Sequence, residues 1–224
     1  MIDKYELRTH HMPALICAAP FIAYSFYFVS GLDLGFLNAI LAQAVAGVGT
    51  VSALYYLEAF TCRHIGKMLE DRMFSRGRDF PTTQFLLDAD THCSPERKQE
   101  IKTKILSDFG VDLTGRTVGT SADRQLIHEV IGKIRQKFYK KNDAILQRNI
   151  YFGFSKNIAG GAIVSALTSI LLSIVALFVD NMVAFQVAIG LAILYTVICG
   201  FGLWAMTDNA RRYAETLFDE FLAN

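Results

Sequence analysis

The 22 lysine and arginine residues of this 224-residue chain leave two long stretches untouched, 9–62 and 157–210. Nearly all of the apolar runs fall inside those stretches. A helix needs about 20 predominantly apolar residues to cross about 30 Å of hydrocarbon. The first block offers Pro13 to Val29 and Leu34 to Leu57, separated by the polar turn Ser30-Gly31-Leu32-Asp33. The second offers Ile158 to Val179 and Met182 to Met206, separated by Asp180-Asn181. A core helix of a soluble protein shows one apolar stripe, whereas these runs are apolar nearly all round. The pattern predicts an all-α membrane protein. Its four transmembrane helices form two hairpins, with a small, mainly helical cytosolic domain inserted between them.

The expected division is a cytosolic head (1–12), a first hairpin (13–62), a basic cytosolic domain (63–156), a second hairpin (157–206) and a cytosolic amphipathic C-terminal helix (207–224). Lys4 and Arg8 before an apolar run resemble a secretory signal. The run is long, lacks a small-x-small cleavage site and is followed at once by another span, so it reads as an anchor. Eighteen of the cations lie from Arg63 to Lys156, and Lys4, Arg8, Arg211 and Arg212 flank the outermost spans. Cytoplasmic loops carry the excess of positive charge. Both termini and the central domain are therefore expected in the cytoplasm of a bacterial inner membrane, with only two short turns outside.

Cys17 and Cys199 lie within spans, and Cys62 and Cys93 face a reducing compartment, so free thiols are the reading. In the central domain, Phe80 to Leu87 with Pro81 and two threonines reads as extended chain or an edge strand. Ser94-Pro95-Glu96 starts a helix by its serine cap and first-turn proline, and Gly110 ends it. Ser121 is expected to cap a second helix with apolar residues at spacings of three and four, from Leu126 to Phe138. Asn142 is expected to interrupt that helix before a third helical stretch that leads into the membrane.

From Ala210 to Leu222 the residues Tyr213, Ala214, Leu217, Phe218 and Phe221 form an apolar stripe, opposite Glu215, Asp219 and Glu220. Helices that lie on anionic lipid are usually basic. This acidic one is expected to pack on protein, with the basic central domain as its partner.

Candidate functional residues are few. Helices in lipid associate where small residues let backbones approach. Such ridges run through Gly161, Ser165, Ser169 and Ser173, through Ala184, Ala188, Ala192, Thr196 and Gly200, and through Asn38, Ala42, Ala46 and Thr50. Three small faces suggest a homo-oligomer, and intramolecular packing is the alternative. Gln43, near the bilayer midplane, either makes an interhelical hydrogen bond or lines an aqueous path with Asn38 and Thr50. Gly115 and Gly119, with Arg116 and Arg124 nearby, form either a flexible connector or an anion cradle at a helix start. Cys62-x-His64 and His92-Cys93 do not match zinc spacings, so no metal or other cofactor is expected. Cys93 with His128, or the acidic run Asp88-Ala-Asp90-Thr-His92, gives no convincing catalytic set, and no enzyme is expected.

The segments Phe80 to Leu87, Phe109 to Leu113 and Arg148 to Asn157 together resemble those of a group of uncharacterised bacterial four-span inner-membrane proteins with a soluble segment between two hairpins. The resemblance implies that architecture and no activity. The leading functional expectation is an oligomeric membrane sensor or effector, of the anti-phage or stress-response kind. Its cytosolic domain would bind a protein or anionic ligand and alter the bundle. The alternatives are a membrane anchor that recruits a cytosolic partner and an ion channel or pore. Membrane lipids are the expected neighbours, which also explains the basic domain without specific nucleic-acid binding.

Overall fold

A computed structural model describes residues 4–30, 52, 55, 59–138 and 142–224, the side chains of 4 and 22–30 excepted; Asn38, Gln43 and Thr50 lie outside the described residues. Among the described residues the regular structure is helical throughout, with no strand. The helices are α1 (Met12–Ser30), α2 (59–73), α3 (Pro81–Gln84), α4 (Pro95–Phe109), α5 (Ser121–Phe138), α6 (Asp143–Phe178) and α7 (Met182–Ala223). The chain divides into two compact units, Met1–Lys67 with Gly153–Trp204, and Met68–Phe152 with Ala205–Asn224.

α6 and α7 are long and apolar enough to cross a membrane, with mean hydropathies of 2.3 and 2.2 over their most apolar windows. Only 33% and 22% of those windows is buried. Leu167, Leu171, Ile193, Val197, Phe201 and Trp204 each expose more than half of their surface. A core helix of a soluble protein would hide such residues. Between the two helices, Asp180 adopts φ 51 and the Asn181 N–H reaches back to the Ala176 carbonyl at 2.9 Å. This is a Schellman stop with aspartate in the place glycine usually takes. The Asn181 side chain then accepts from the Ala184 N–H at 3.0 Å and starts α7.

The helices are longer than the hydropathy pattern suggests. No break separates residues 156 and 157 or residues 206 and 207, because α6 begins at Asp143 and α7 continues to Ala223. Polar and apolar stretches differ in composition there, yet neither junction contains a helix breaker. The N-terminal head is helical as well, through Lys4–Glu6 and a π-helical turn at Leu7–His11 that leads into α1.

In the first unit, Pro20 lies inside α1 and offers no N–H to the carbonyl of Ile16. Tyr195 of α7, 1% exposed, closes this gap. Its hydroxyl points at the carbonyls of Ile16 (3.2 Å) and Cys17 (3.0 Å). Ser165 of α6 donates to the Cys17 carbonyl at 3.4 Å, and the Tyr195 ring stacks on Phe21 at 6.1 Å. Elsewhere the backbones nearly touch. A Cβ on Gly160 would lie 2.5 Å from the Gly66 nitrogen and 2.6 Å from the Cys62 oxygen. One on Gly202 would lie 3.0 Å from the Ala159 Cβ. Gly190 and Gly200, by contrast, have no such neighbour within 4 Å.

The second unit is a helical module. Ser94 accepts from the Arg97 N–H at 3.2 Å with Pro95 in the first turn, and Gly110 closes α4 at φ 67. Asn142 accepts from the Ile145 N–H at 3.0 Å and caps α6. The cap of α5 is Thr120, one residue before the expected Ser121. Thr120 and Asp123 exchange side-chain and backbone bonds at 3.1 and 3.2 Å in a reciprocal box. The segment expected as extended chain or strand is instead the short helix α3, for which Pro81 supplies a preset first-turn φ. Thr82 and Thr83 are buried there rather than lining an edge.

Ile101, Ile105, Ile127, Ile131 and Ile134 of α4 and α5 form the core with Leu217, Phe218 and Phe221 of the C-terminal part of α7. On the acidic side of that stripe Arg97 pairs with Asp219, and the neutral amide of Asn142 donates to Glu220 at 2.6 Å. Phe221 stacks on Phe109 at 6.1 Å beneath the ammonium groups of Lys104 and Lys137. Arg135 lies 5.3 Å from the Phe80 ring and 5.5 Å from the Tyr213 ring. The stripe therefore packs on protein, and its acidic residues face the basic module.

Gly160→Ala should lower the thermal midpoint of the purified protein by an amount equivalent to about 1–3 kcal/mol, the usual cost of overpacking. Gly190→Ala should leave the midpoint unchanged within about 0.5 kcal/mol. Equal effects at the two glycines would show that the close contact of α2 and α6 is not what restricts residue 160.

Candidate functional site

Two polar arrangements stand out, one in each unit. In the first, Asn157 of α6 is fully buried. Its amide nitrogen donates to the Thr9 carbonyl at 2.6 Å and lies 2.9 Å from Nδ1 of His10. The π-helical turn accounts for the first of these, because such turns free backbone carbonyls within a helix. The Thr9 carbonyl in turn fixes which end of the amide faces His10, which must therefore accept through a neutral Nδ1. Burial pushes the His10 pKa below its ordinary value, and the charges of Arg63, Lys156 and His11 act in the same direction. Glu6 opposes them, and Tyr5 meets the imidazole edge-on at 6.2 Å. Close to this site, His11 bonds and stacks with Tyr55. The cluster holds the N-terminal turn on α6, where Gly153 makes room for Thr9.

The second arrangement is a cleft of about 310 Å³ lined by Ser75, Arg78, Asp79, Ser121 and Arg124. One wall is the turn after α2, in which Ser75, Arg76 and Gly77 adopt φ values of 49, 56 and 90. Left-handed conformations of this kind cost non-glycine residues about 1–3 kcal/mol each. Gly77 has a steric reason as well, since a Cβ there would lie 2.6 Å from Cε1 of His128. The turn is held by Asp79, which accepts from the Ser75 hydroxyl and pairs with Arg124. Arg124 also donates from Nε to the Gly119 carbonyl at 3.0 Å. Arg78 is exposed and donates to the Ser75 carbonyl at 3.3 Å. Two guanidiniums and one carboxylate leave positive charge beside the first turn of α5, together with two hydroxyls. Such a lining is equipped to bind an oxyanion. It contains no thiol, imidazole or amine to act as nucleophile or base.

Of the two arginines proposed for anion binding, Arg124 lines this cleft and Arg116, exposed in the loop before it, does not. Arg78, Ser75 and Ser121 were missed, although the run Ser75-Arg-Gly-Arg78 places cations around a turn glycine. Among the small-residue candidates, Gly161, Ser165, Ser169, Ala188 and Ala192 are buried within the first unit, and Thr196 is exposed. The Ser169 hydroxyl bonds its own helix at the Ser165 carbonyl (2.7 Å), and Thr196 bonds the Ala192 carbonyl (2.8 Å). The ridge from Gly161 to Ser173 and the Ala184–Ala192 part of the second are covered within the chain, whereas Thr196 and Gly200 lie exposed. Among the described residues no three His, Cys, Asp or Glu side chains group as metal ligands. No family model, curated protein or solved structure matches the chain.

Because His10 is harder to protonate when docked, docking is complete above the ordinary imidazole pKa of about 6.5 and weakens as pH falls through and below it. The thermal midpoint should therefore drop between about pH 7.5 and pH 5.5, and His10→Gln should reduce that drop. An unchanged pH dependence in His10→Gln would assign it to other groups.

Proposed function

We propose that this is a four-span inner-membrane sensor whose cytosolic helical module binds a small oxyanion and passes the change to its transmembrane hairpins. Four spans follow from the cation-free apolar blocks, and the cytoplasmic placement of the module follows from its eighteen cations. The observation that carries the ligand reading is the Arg78–Arg124 cleft. A phosphate-like group seated there competes with Asp79 for Arg124. Loss of the Asp79–Arg124 pair frees the left-handed turn at Ser75–Gly77, and the chain runs from that turn back through α2 into the first hairpin. Strain held by one ion pair gives the ligand a differential effect on two states, which a population shift requires. Effector activity in defence or stress, and assembly into an oligomer, are further parts of the proposal.

Titration calorimetry of the detergent-purified protein with inorganic phosphate, pyrophosphate and a nucleoside monophosphate tests the site. At least one probe should bind, and Arg78→Ala should weaken it at least tenfold, or about 1.4 kcal/mol. Absence of heat with every probe, or unchanged affinity in both Arg78→Ala and Arg124→Ala, would leave the anchor reading in its place.

A further inference from the structure

The apolar core of the first unit contains a pair of thiols. Cys17 of α1 and Cys62 of α2 are 0% and 1% exposed, and neither is in a disulfide. Each presses on the same glycine of α6. A Cβ placed on Gly161 would lie 2.3 Å from the Cys62 sulfur and 2.7 Å from the Cys17 sulfur. Both sulfurs are thus close to a single point and within about 5 Å of each other. Only glycine leaves room for both, so the absence of a side chain at 161 is what lets the two thiols share this space. Ala14, Phe21, Ile158, Ala162 and Tyr195 complete the surroundings.

We propose that Cys17 and Cys62 are a redox-modification site that closes to a disulfide between α1 and α2. The reacting oxidant is of the small uncharged peroxide class. One thiol gives up its proton and attacks a peroxide oxygen, which leaves a sulfenic acid and water. The second sulfur then attacks the sulfenic sulfur, forming the S–S bond and releasing a second water. In total two thiols and one hydrogen peroxide yield one disulfide and two waters, with the sulfurs oxidised by two electrons and the peroxide reduced by two. The product is neutral and therefore suits the apolar core. Burial slows the first step, because the thiolate is the reacting form. The same burial excludes charged tripeptide thiols, so the bond, once formed, outlasts the cytosolic reductant. Bond formation draws the sulfurs to about 2.05 Å and ties the inner ends of the first two helices together.

The test treats the full chain in native membrane vesicles with hydrogen peroxide or, separately, with glutathione disulfide. Remaining thiols are then blocked, and the protein is digested without reductant for mass spectrometry. With peroxide, a peptide pair linking Cys17 to Cys62 should appear, lighter by two hydrogens than its parts. It should be absent from Cys17→Ser and Cys62→Ser, and absent or several-fold weaker with glutathione disulfide. The proposal is overturned if peroxide oxidises methionines yet leaves Cys17 and Cys62 open to alkylation after denaturation. It is overturned equally if the linked pair involves Cys199 or Cys93 instead. Because Ser is close to Cys in size, both variants should remain in the membrane, and their abundance is checked on the same samples.

Discussion

The first unit depends on one repaired break in a helix. Pro20 removes the N–H that would otherwise satisfy the Ile16 carbonyl. In hydrocarbon an unsatisfied backbone group costs several kcal/mol, so helices that contain proline rely on neighbouring side chains. Tyr195 of α7 supplies one to the Ile16 carbonyl, Ser165 of α6 adds a bond to the adjacent Cys17 carbonyl, and together they fix how three helices meet. The buried ring of Tyr195, the thiols against Gly161 and the contact of Gly66 with Gly160 all belong to the same core or border it. A hydrogen bond between side chain and backbone thus does what burial of apolar surface cannot do in lipid, where tails are as apolar as leucine.

The second unit obeys the opposite rule. There, water drives the apolar stripe of α7 onto α4 and α5, and Phe218 and Phe221 are fully buried. Cations above Phe221 and the pairing of Arg97 with Asp219 give that packing its direction. One continuous helix therefore changes its packing logic along its length. Near residue 197 its apolar side chains are exposed as a lipid-facing surface requires, and by residue 217 its apolar side chains are hidden under protein.

Much of this was legible in the sequence because its causes are local. The cap at Ser94, the stop at Gly110 and the turn at Asp180-Asn181 rest on a few adjacent residues. The acidic C-terminal stripe announced its protein partner by charge alone. What escaped has causes distant in sequence. Tyr195 lies 179 residues from the carbonyl it completes, and nothing nearby marks it. Gly66, Gly160 and Gly202 look like ordinary small residues until the facing backbone is known. The Phe80 to Leu87 segment was misread because threonines and a proline suit both an edge strand and a short helix, and burial of Thr82 and Thr83 decided between them. Of the anion-binding candidates Arg116 and Arg124, only Arg124 lines the cleft beside α5, and Arg78 was not singled out because the turn that carries it has no periodic signal.

A double-mutant cycle on Tyr195 and Pro20 tests the central claim most directly. Tyr195→Phe keeps the ring and removes only the hydroxyl, so thermal unfolding in detergent should show a loss of about 0.6–2 kcal/mol. In a Pro20→Ala background the Ile16 carbonyl regains its own N–H, and the same substitution should cost clearly less. An equal cost in both backgrounds, or no cost in either, would contradict the account.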